Sequence, residues 1–516
     1  MKRCPQCNRV ETDDALKFCR ADGTPLVASA PLESESATIS LSGSEPIELS
    51  TTGRLVDTPS IAVLPFVNMS ADPENEFFCD GLAEELLNAL TKIDDLKVAA
   101  RTSSFSFKGK SVNVDEIGLA LHVKTILEGS VRKSGNRLRI TVQLVNASDG
   151  YHLLSERYDR ELQDIFDVQD EITLSVLDAL KLKLMGGEKA AILKRHTDNA
   201  EAYQLYLRGR FFFFKRTPEA MNKAIEYFEE AIELDAEYAL AFAGLADCRT
   251  FLGFYEINAP AEMVERIRAD AYKALELDDT LAETHTSVAI FRSIYEWDFT
   301  GSQKEFQTAI KLNPKSSLAH HFSGAPLLAL GLKDAAIEAI QRAIKLDPFM
   351  AIYNAAFGWW LYLSRRFDEA VEQSLKTIEI APNHFFAHWV LGMTYGHNGR
   401  YEEAVTALQK AATLTRGNEH IKAELGRIYA QNGHRDEALR LLDELKELAK
   451  ERYVSPVNIA KIYVGLGERD RVFEYLEKAL AERAVRLPWF FIDPALEGYR
   501  DDPRSQEIMR RVGLPR

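Results

Sequence analysis

Residues 351–382 have the sequence AIYNAAFGWWLYLSRRFDEAVEQSLKTIEIAP, and their pattern decides the fold. Apolar residues recur at three- and four-residue steps around Gly358 and Ala370, which is the spacing of one helical face. Pro382 ends the second helix because proline has no amide hydrogen and cannot continue a helix. The stretch therefore predicts two helices that approach each other closely at these small residues.

The same pattern recurs on both sides of this stretch at intervals of 34 residues. The repeated positions are Gly324, Gly358, Gly392 and Gly426; Ala336, Ala370, Ala404 and Ala438; and Pro314, Pro348 and Pro382. Chance recurrence of common residues would not place several residue types in one register. A fixed period of this size predicts stacked repeats, which bury a continuous core and present a long concave surface to a partner.

The unit at residues 385–416 shows which kind of repeat this is. It has Gly392, Tyr395 and Ala404 at positions where it resembles the tetratricopeptide repeat. It departs from that pattern at Arg416, where proline would stand. The resemblance implies an all-α solenoid that binds proteins or peptides.

Earlier units are looser, and we expect about eight units over residues 200–488. The remaining residues, 489–516, include an amphipathic segment from Ser505 to Val512. We therefore expect this tail to be a polar cap on the last repeat.

Length and charge limit the functional classes. A chain of 516 residues is long enough for several domains, and its net charge of −15 argues against a generic nucleic-acid binder, which needs a basic surface. No stretch has the length of apolar residues needed to cross a bilayer, and the N-terminus lacks the apolar core of a signal peptide. We therefore expect a cytoplasmic protein, and its oligomeric state stays open.

A cysteine pattern near the N-terminus predicts a metal site. Cys4 and Cys7 have the spacing of a zinc knuckle, and Cys19 with Asp22 has the same spacing. Residues 1–27 therefore resemble a short zinc ribbon in which aspartate replaces the fourth cysteine, and one zinc ion is expected. The alternative is a decayed ribbon that binds zinc weakly. Residues 28–57 are rich in Ser, Thr, Glu and Pro, which predicts a disordered linker.

Residues 58–185 predict a separate α/β domain. Apolar strands begin at Ile61 and Leu96, an amphipathic helix covers residues 81–93, and residues 126–132 and 137–145 predict a hairpin. Its phrases resemble the TolB-like amino-terminal domain, which precedes tetratricopeptide repeats in many bacterial regulators. The phrases are IAVLPF at residues 61–66, DGL at 80–82, ARTSSF at 100–105, LEGSV at 127–131 and SERYD at 155–159.

A polar loop, Arg101 to Lys108, follows the second strand of this domain and could bind an anion. No glycine-rich phosphate loop and no His pair with metal spacing accompanies it. A structural role is therefore the favoured interpretation, and an enzyme or ligand sensor with a site in this domain stays an alternative.

The candidate binding residues lie on one face of the first helix in each regular repeat, a face that lines the concave groove in tetratricopeptide repeats. They are His321, Trp359, Tyr362, Trp389, Met393, His397, Arg427, Gln431 and Lys461. Aromatic and basic side chains together suit a peptide with apolar and acidic groups. The alternative is that the tryptophans pack in the core between helices.

The sequence thus predicts a multidomain protein with a small zinc-ribbon-like head, an α/β middle domain and an all-α tetratricopeptide-repeat solenoid. The favoured function is a non-enzymatic scaffold or regulatory protein that binds a protein or peptide in its groove. A transcription-linked regulator whose head contacts nucleic acid is the other alternative.

Overall fold

The computed structural model describes residues 58–72, 75–184, 189, 192–254, 259–415 and 417–515, together with three short strands before residue 29. It contains two compact units, residues 1–57 and residues 58–516. In the first unit, the strands Lys2–Arg3 (β1), Val10–Glu11 (β2) and Val27–Ala28 (β3) pair antiparallel in the order β2-β1-β3. The predicted linker begins at Ala28, a residue that belongs to β3.

The four predicted zinc ligands, Cys4, Cys7, Cys19 and Asp22, lie outside the described residues. Residues 29–57 of the predicted linker lie outside them as well. The zinc site and the disorder of the linker therefore stay predictions.

The second unit begins with a sheet that is covered by helices. Its strands are Ser60–Val63 (β4), Val67–Asn68 (β5), Lys97–Val98 (β6), Thr125–Ser134 (β7), Arg137–Asn146 (β8) and His152–Glu161 (β9). Its helices are Glu76–Thr91 (α1), Arg101–Phe105 (α2), Val114–Leu121 (α3) and Ile165–Ala179 (α4). The strand order is β6-β4-β7-β8-β9; β6, β4 and β7 run parallel, and β7, β8 and β9 pair antiparallel, while β5 adds a parallel pair with β7.

The alternation along β8 shows why this segment is a half-buried strand. Leu138 and Ile140 are buried while Arg137 and Arg139 are exposed, as the period of two requires. One difference from the sequence prediction is the polar loop, since residues 101–105 form the helix α2.

Residues 200–481 form eight antiparallel helix pairs within the described part of the chain. The inner and outer helices of each pair are Ala200–Phe213 (α5) and Pro218–Leu234 (α6); Ala239–Phe254 (α7) and Pro260–Leu277 (α8); Ala282–Phe291 (α9) and Phe299–Leu312 (α10); Ser317–Ala329 (α11) and Lys333–Leu346 (α12); Ala351–Leu363 (α13) and Phe367–Ile380 (α14); Phe385–His397 (α15) and Tyr401–Leu414 (α16); Glu419–Gln431 (α17) and Arg435–Leu448 (α18); Pro456–Leu466 (α19) and Arg469–Ala481 (α20). Two short helices follow, Leu487–Ile492 (α21) and Pro503–Arg511 (α22), with a 3-10 turn at Pro494–Tyr499 between them.

The 34-residue period follows from packing within each pair. A Cβ atom at Gly392 would lie 2.6 Å from the side chain of Leu408 on the outer helix, so only glycine permits this approach. The turn between the two helices also recurs with this period. Its residue has a left-handed backbone at Gly331, Arg365, Gly399, Gly433 and Gly467.

The α/β domain packs against the helix pairs through a shared apolar core and through buried polar contacts, and we call this contact region the domain interface. Glu84 on α1 accepts hydrogen bonds from Arg101 Nε at 2.7 Å and from Arg210 Nη2 on α5 at 2.6 Å. Ser103 Oγ donates to Asp347 Oδ1, at the end of α12, at 2.7 Å. The polar residues 101–103 therefore serve this interface, which agrees with the structural interpretation.

Lys315 extends the domain interface to the end of α1. Its ammonium group donates to the carbonyl oxygens of Thr91, Ile93 and Leu96 at 3.0, 2.7 and 3.2 Å. A cation at this position is favourable because the carboxyl end of a helix bears partial negative charge.

Among the residues that the structure describes, none of the helices combines the length and apolar character that a membrane crossing requires.

Candidate functional site

The nine predicted binding residues lie on five consecutive inner helices. His321 is on α11; Trp359 and Tyr362 are on α13; Trp389, Met393 and His397 are on α15; Arg427 and Gln431 are on α17; and Lys461 is on α19. Because inner helices of neighbouring pairs pack side by side, these residues form one continuous face. We call this face the groove.

The groove is not open to solvent, contrary to the exposure that the sequence interpretation favoured. Tyr362 is 0 % exposed, Trp389 is 4 % exposed and Trp359 is 7 % exposed, while His397 is half-buried and Gln431 is exposed. The cause is a segment from the C-terminal end of the chain that lies across these residues. We call residues 483–499 the C-terminal strap.

The strap covers the groove first through an aromatic side chain. The ring of Trp489 lies 5.1 Å from the ring of Trp359 and 6.2 Å from that of Trp360, stacked on the latter at an interplanar angle of 17°. Trp359 also meets Trp389 edge to face at 5.7 Å. Such aromatic contacts add about 0.5–1.5 kcal/mol each beyond the area that they bury.

The second contact is a buried hydrogen bond. The hydroxyl group of Tyr362 donates to Asp493 Oδ1 at 2.6 Å. Burial, together with the neighbouring carboxylate of Asp493, raises the pKa of Tyr362 well above its ordinary value, so this hydroxyl stays protonated. The strap thus presents a carboxylate to the inner helices one helical turn after its tryptophan.

The strap reaches the early helix pairs as well. Arg483 Nη2 donates to the carbonyl oxygen of Tyr295 at 2.9 Å, and Arg486 Nη2 donates to that of Phe254 at 3.3 Å. On the other side Glu497 forms an ion pair with Arg365.

The predicted cap over residues 489–516 is therefore only partly a cap. The strap lies inside the solenoid, because its apolar side chains Leu487 and Phe490 are buried there. The helix α22 packs back on the last outer helix, where Arg504 lies over the ring of Phe473 at 3.7 Å, and Tyr499 at the end of the strap lies 6.2 Å from the same ring.

A buried ion network lies next to the strap. Glu424 accepts from Arg427 Nε at 2.9 Å and from the ammonium group of Lys461, and Arg427 Nη1 donates to Gln431 Oε1 at 2.9 Å. Burial would raise the pKa of Glu424, but Lys461 and Arg427 outweigh it and hold this pKa below its ordinary value. One carboxylate thus faces two cations, so the network has an excess positive charge.

A cavity of about 20 Å³ remains between groove and strap. Its lining includes Trp389 and Lys461 from the inner helices and Arg486 and Asp493 from the strap. A space of this size holds about one water molecule. The strap therefore fills the groove almost completely.

A larger cavity of about 660 Å³ lies in the α/β domain. Leu64–Asn68, which follow β4, and Glu128–Ser130 on β7 line it, together with Phe107–Lys110 and Thr141. The strands β6 and β7 lie on opposite sides of β4 in the sheet. The chain therefore crosses from one side of β4 to the other between β6 and β7. Open α/β sheets bind ligands at the carboxyl ends of strands where the order reverses in this way.

Family models described as "Tetratricopeptide repeat" match residues 219–238, 298–351 and 397–455. These segments fall on the helix pairs described above. The chain therefore contains tetratricopeptide repeats that form a mostly helical solenoid, joined to a smaller sheet-containing region.

Two curated relatives show partial similarity. "Putative adenylate cyclase 3" of Rhizobium meliloti is 37% identical over 234 residues, which are 45% of this chain and 40% of that protein. "Transcriptional regulator HilA" of Salmonella typhimurium is 20% identical over 286 residues, which are 55% of this chain and 50% of that protein. The chain thus spans about half the length of these relatives or less.

Similar solved structures include YrrB, described as "a TPR protein with an unusual peptide-binding site", and yeast Tom70. YrrB is 26% identical to this chain, with a TM-score of 0.26. The alignment covers 36% of this chain and 91% of the YrrB chain. Tom70 is 16% identical to this chain, with a TM-score of 0.39. The alignment covers 68% of this chain and 82% of the Tom70 chain.

The sequence interpretation missed the strap. A signal was present in the run Trp489-Phe490-Phe491 between Pro488 and Pro494, which is too apolar for a solvated cap. It also missed the 660 Å³ cavity, because its lining combines separate segments of the chain that only the fold brings together.

Proposed function

We propose that the protein is a non-enzymatic scaffold that binds a peptide segment of a partner protein in the groove. Tetratricopeptide-repeat proteins act as protein-interaction scaffolds. The observation that carries the proposal is the strap itself, since the groove holds a segment of chain through the residues that the sequence singled out. The buried charges Glu424, Arg427 and Lys461 pair with one another, which supports a structural rather than a catalytic role.

Site-specific photo-crosslinking tests where the partner binds. A photoreactive residue at His397, half-buried on the inner face, should capture a protein partner in the native cell. The matched control is Leu375 on the outer helix α14, which is 48% exposed and faces away from the groove. Capture from Leu375 but not from His397 would place the interaction on the outer surface and refute the proposal.

A second candidate function is ligand sensing by the α/β domain. The observation that favours it is the 660 Å³ cavity at the point where the strand order reverses, since ligand pockets measure about 300–1,000 Å³. Mass spectrometry under native conditions should then detect a small molecule that copurifies with the chain. Thr141→Trp, which fills the cavity, should abolish this signal, whereas Arg139→Trp, at an exposed position of β8 outside the cavity lining, should not. If the unchanged chain and the Arg139→Trp control both show the mass of the protein without a ligand, this result would argue against the candidate.

The head and the compartment complete the proposal. Cys4, Cys7 and Cys19, with Asp22 in the fourth position, would hold one zinc ion in a protein that acts in the cytoplasm. Elemental analysis after purification without chelator should find about one zinc per chain, lost in Cys4→Ser. Metal-free protein would refute the zinc site and leave the scaffold proposal unaffected.

A further inference from the structure

The groove and the strap together define two adjacent subsites. The first is an aromatic subsite, formed by Trp359, Trp360 and Trp389, against which Trp489 packs. Phe386 extends it, since its ring stacks on Trp389 at 5.2 Å. Four aromatic rings on one face form a surface that a single aromatic side chain can enter from the partner.

The second subsite binds a carboxylate. Asp493 accepts from Tyr362 and lies in the field of Arg427, whose charge together with that of Lys461 exceeds the single charge of Glu424. A further negative charge at this position therefore balances the network. Because buried charges are costly unless paired, this subsite favours an acidic group over a neutral one.

The strap does not use every group that the groove offers. Trp389 Nε1 and Arg427 Nη2 are buried and find no acceptor among the residues that the structure describes. A buried donor without a partner is unfavourable, so a ligand that supplied two acceptors would gain relative to the strap. These two donors are therefore available to a ligand that supplies acceptors.

We propose that the partner is a peptide with an aromatic side chain and a carboxylate four residues later, and that it binds by displacing the strap, whose Trp489 and Asp493 occupy the same two subsites. This inference rests on the proposed function, because it names the partner chemistry and the regulation of that groove. The strap is held on both sides, by α20 before it and by α22 after it. Displacement therefore moves a segment that stays tethered to both flanking helices.

Competition lowers the apparent affinity for the partner. If the strap is released in only a fraction of the molecules, the apparent dissociation constant equals the intrinsic constant divided by that fraction. Substitutions that weaken the strap but leave the inner helices unchanged should therefore tighten peptide binding.

The test uses the full chain and a fluorescent synthetic peptide with the sequence of residues 486–499, RLPWFFIDPALEGY. The loosened chain carries Trp489→Ala and Asp493→Asn. We expect it to bind the peptide at least tenfold more tightly than the unchanged chain does in fluorescence anisotropy. A second loosened chain, Arg483→Ala with Arg486→Ala, removes contacts of the strap to Tyr295, Trp297 and Phe254 and should act in the same direction.

Two controls locate the interaction. A peptide with alanine in place of its tryptophan and its aspartate should lose binding to both loosened chains. Tyr362→Phe, added to a loosened chain, should weaken binding several-fold. Circular dichroism verifies that each variant retains its helix content, and the second loosened chain keeps the test valid where the first fails to fold.

Three results would overturn the inference. Equal peptide affinity of unchanged and loosened chains would show that the strap does not compete, although the groove would remain a peptide site. Equal binding of the alanine-substituted peptide would show that the two subsites are not recognised. Absence of binding to every chain would show that this motif is not the ligand, and crosslinking from His397 would still decide the proposed function separately.

Discussion

The solenoid is covered in two places, and the two covers differ in chemistry. At the domain interface, the α/β domain contacts the repeats through a shared apolar core and buried charges, with Glu84 between two arginines and Lys315 at the end of α1. Along the groove, the strap contacts them mainly through stacked aromatic rings and one buried hydrogen bond.

This difference indicates which cover can be removed. Separating the domain interface would remove Arg210 from the buried carboxylate of Glu84 and expose the apolar core that the two parts share, which is strongly unfavourable. Removing the strap exposes aromatic surface, which another aromatic peptide can cover again. The comparison therefore assigns the α/β domain to the permanent architecture and the strap to the exchangeable part.

The largest effect should come from Glu84→Ala. Burial would raise the pKa of Glu84, but Arg210 and Arg101 outweigh it and hold this pKa below its ordinary value, so the carboxylate is charged. Its removal leaves both arginines without their partner, and we expect a loss of about 3–5 kcal/mol in the free energy of unfolding. Denaturant titration measures this loss. The control Asp159→Ala breaks only exposed pairs, with Arg139 and Arg157, and should leave the titration unchanged. Equal curves for both variants would contradict the permanent nature of the interface.

The repeats could be predicted because the residues that specify each repeat lie close together in the sequence. Each pair packs on its neighbours, so residues such as Gly392 and Leu408 recur with the period and are visible in the sequence. The covers have no such signal. Tyr362 and Asp493 are 131 residues apart, and Ser103 and Asp347 are 244 residues apart. Sequence periodicity cannot specify contacts between segments that do not repeat, so the groove residues were identified but their burial was not.

The next effect depends on pH and tests whether water is excluded from the aromatic face of the repeats. Burial, with a smaller effect from Arg216, lowers the pKa of His321 to about 3, and its ring stacks on Tyr353 at 4.7 Å. The neutral ring is therefore favoured in the folded state, while the unfolded chain takes up a proton below about pH 6.5. The contribution of His321 to stability is complete above that pH and is lost as the pH falls towards 3.

Comparison with His321→Phe isolates this contribution. Between pH 7 and pH 4 the wild type should lose about 3 kcal/mol relative to the variant, which cannot take up this proton. Denaturant titrations at both pH values measure the difference. If the difference in the free energy of unfolding between wild type and variant does not change with pH, water reaches the ring of His321 and is not excluded from this face.

A smaller and local effect should follow from Tyr362→Phe. The variant loses the buried hydrogen bond to Asp493, which we expect to cost about 1–3 kcal/mol. Amide hydrogen exchange should accelerate in residues 486–499 and stay unchanged in α1 at the domain interface. The control Tyr463→Phe removes the hydroxyl that accepts from Lys446 at 2.7 Å, outside the strap, and should leave exchange in the strap unchanged. Faster exchange in both segments would mean that the two covers form one cooperative unit.

The smallest effect concerns the turn at Arg365, where the repeat contacts the strap. This residue has a φ of 68°, in a register position where Gly399 has a φ of 73°. A left-handed backbone is unfavourable by about 1–2 kcal/mol for a residue with a side chain. The variant Gly399→Ala should therefore have a free energy of unfolding that is lower by this amount. Arg365→Gly removes this strain but also breaks the partly exposed ion pair with Glu497, which contributes about 0–1 kcal/mol. Glycine also raises the conformational entropy of the unfolded chain, which costs about 0.4–1 kcal/mol. The mid-range values leave a net change of less than about 1 kcal/mol, and hydrogen exchange in the strap should be faster. A clear loss of stability in Arg365→Gly would show that the ion pair holds the strap more firmly than its exposure suggests, and the strap would then resemble the domain interface.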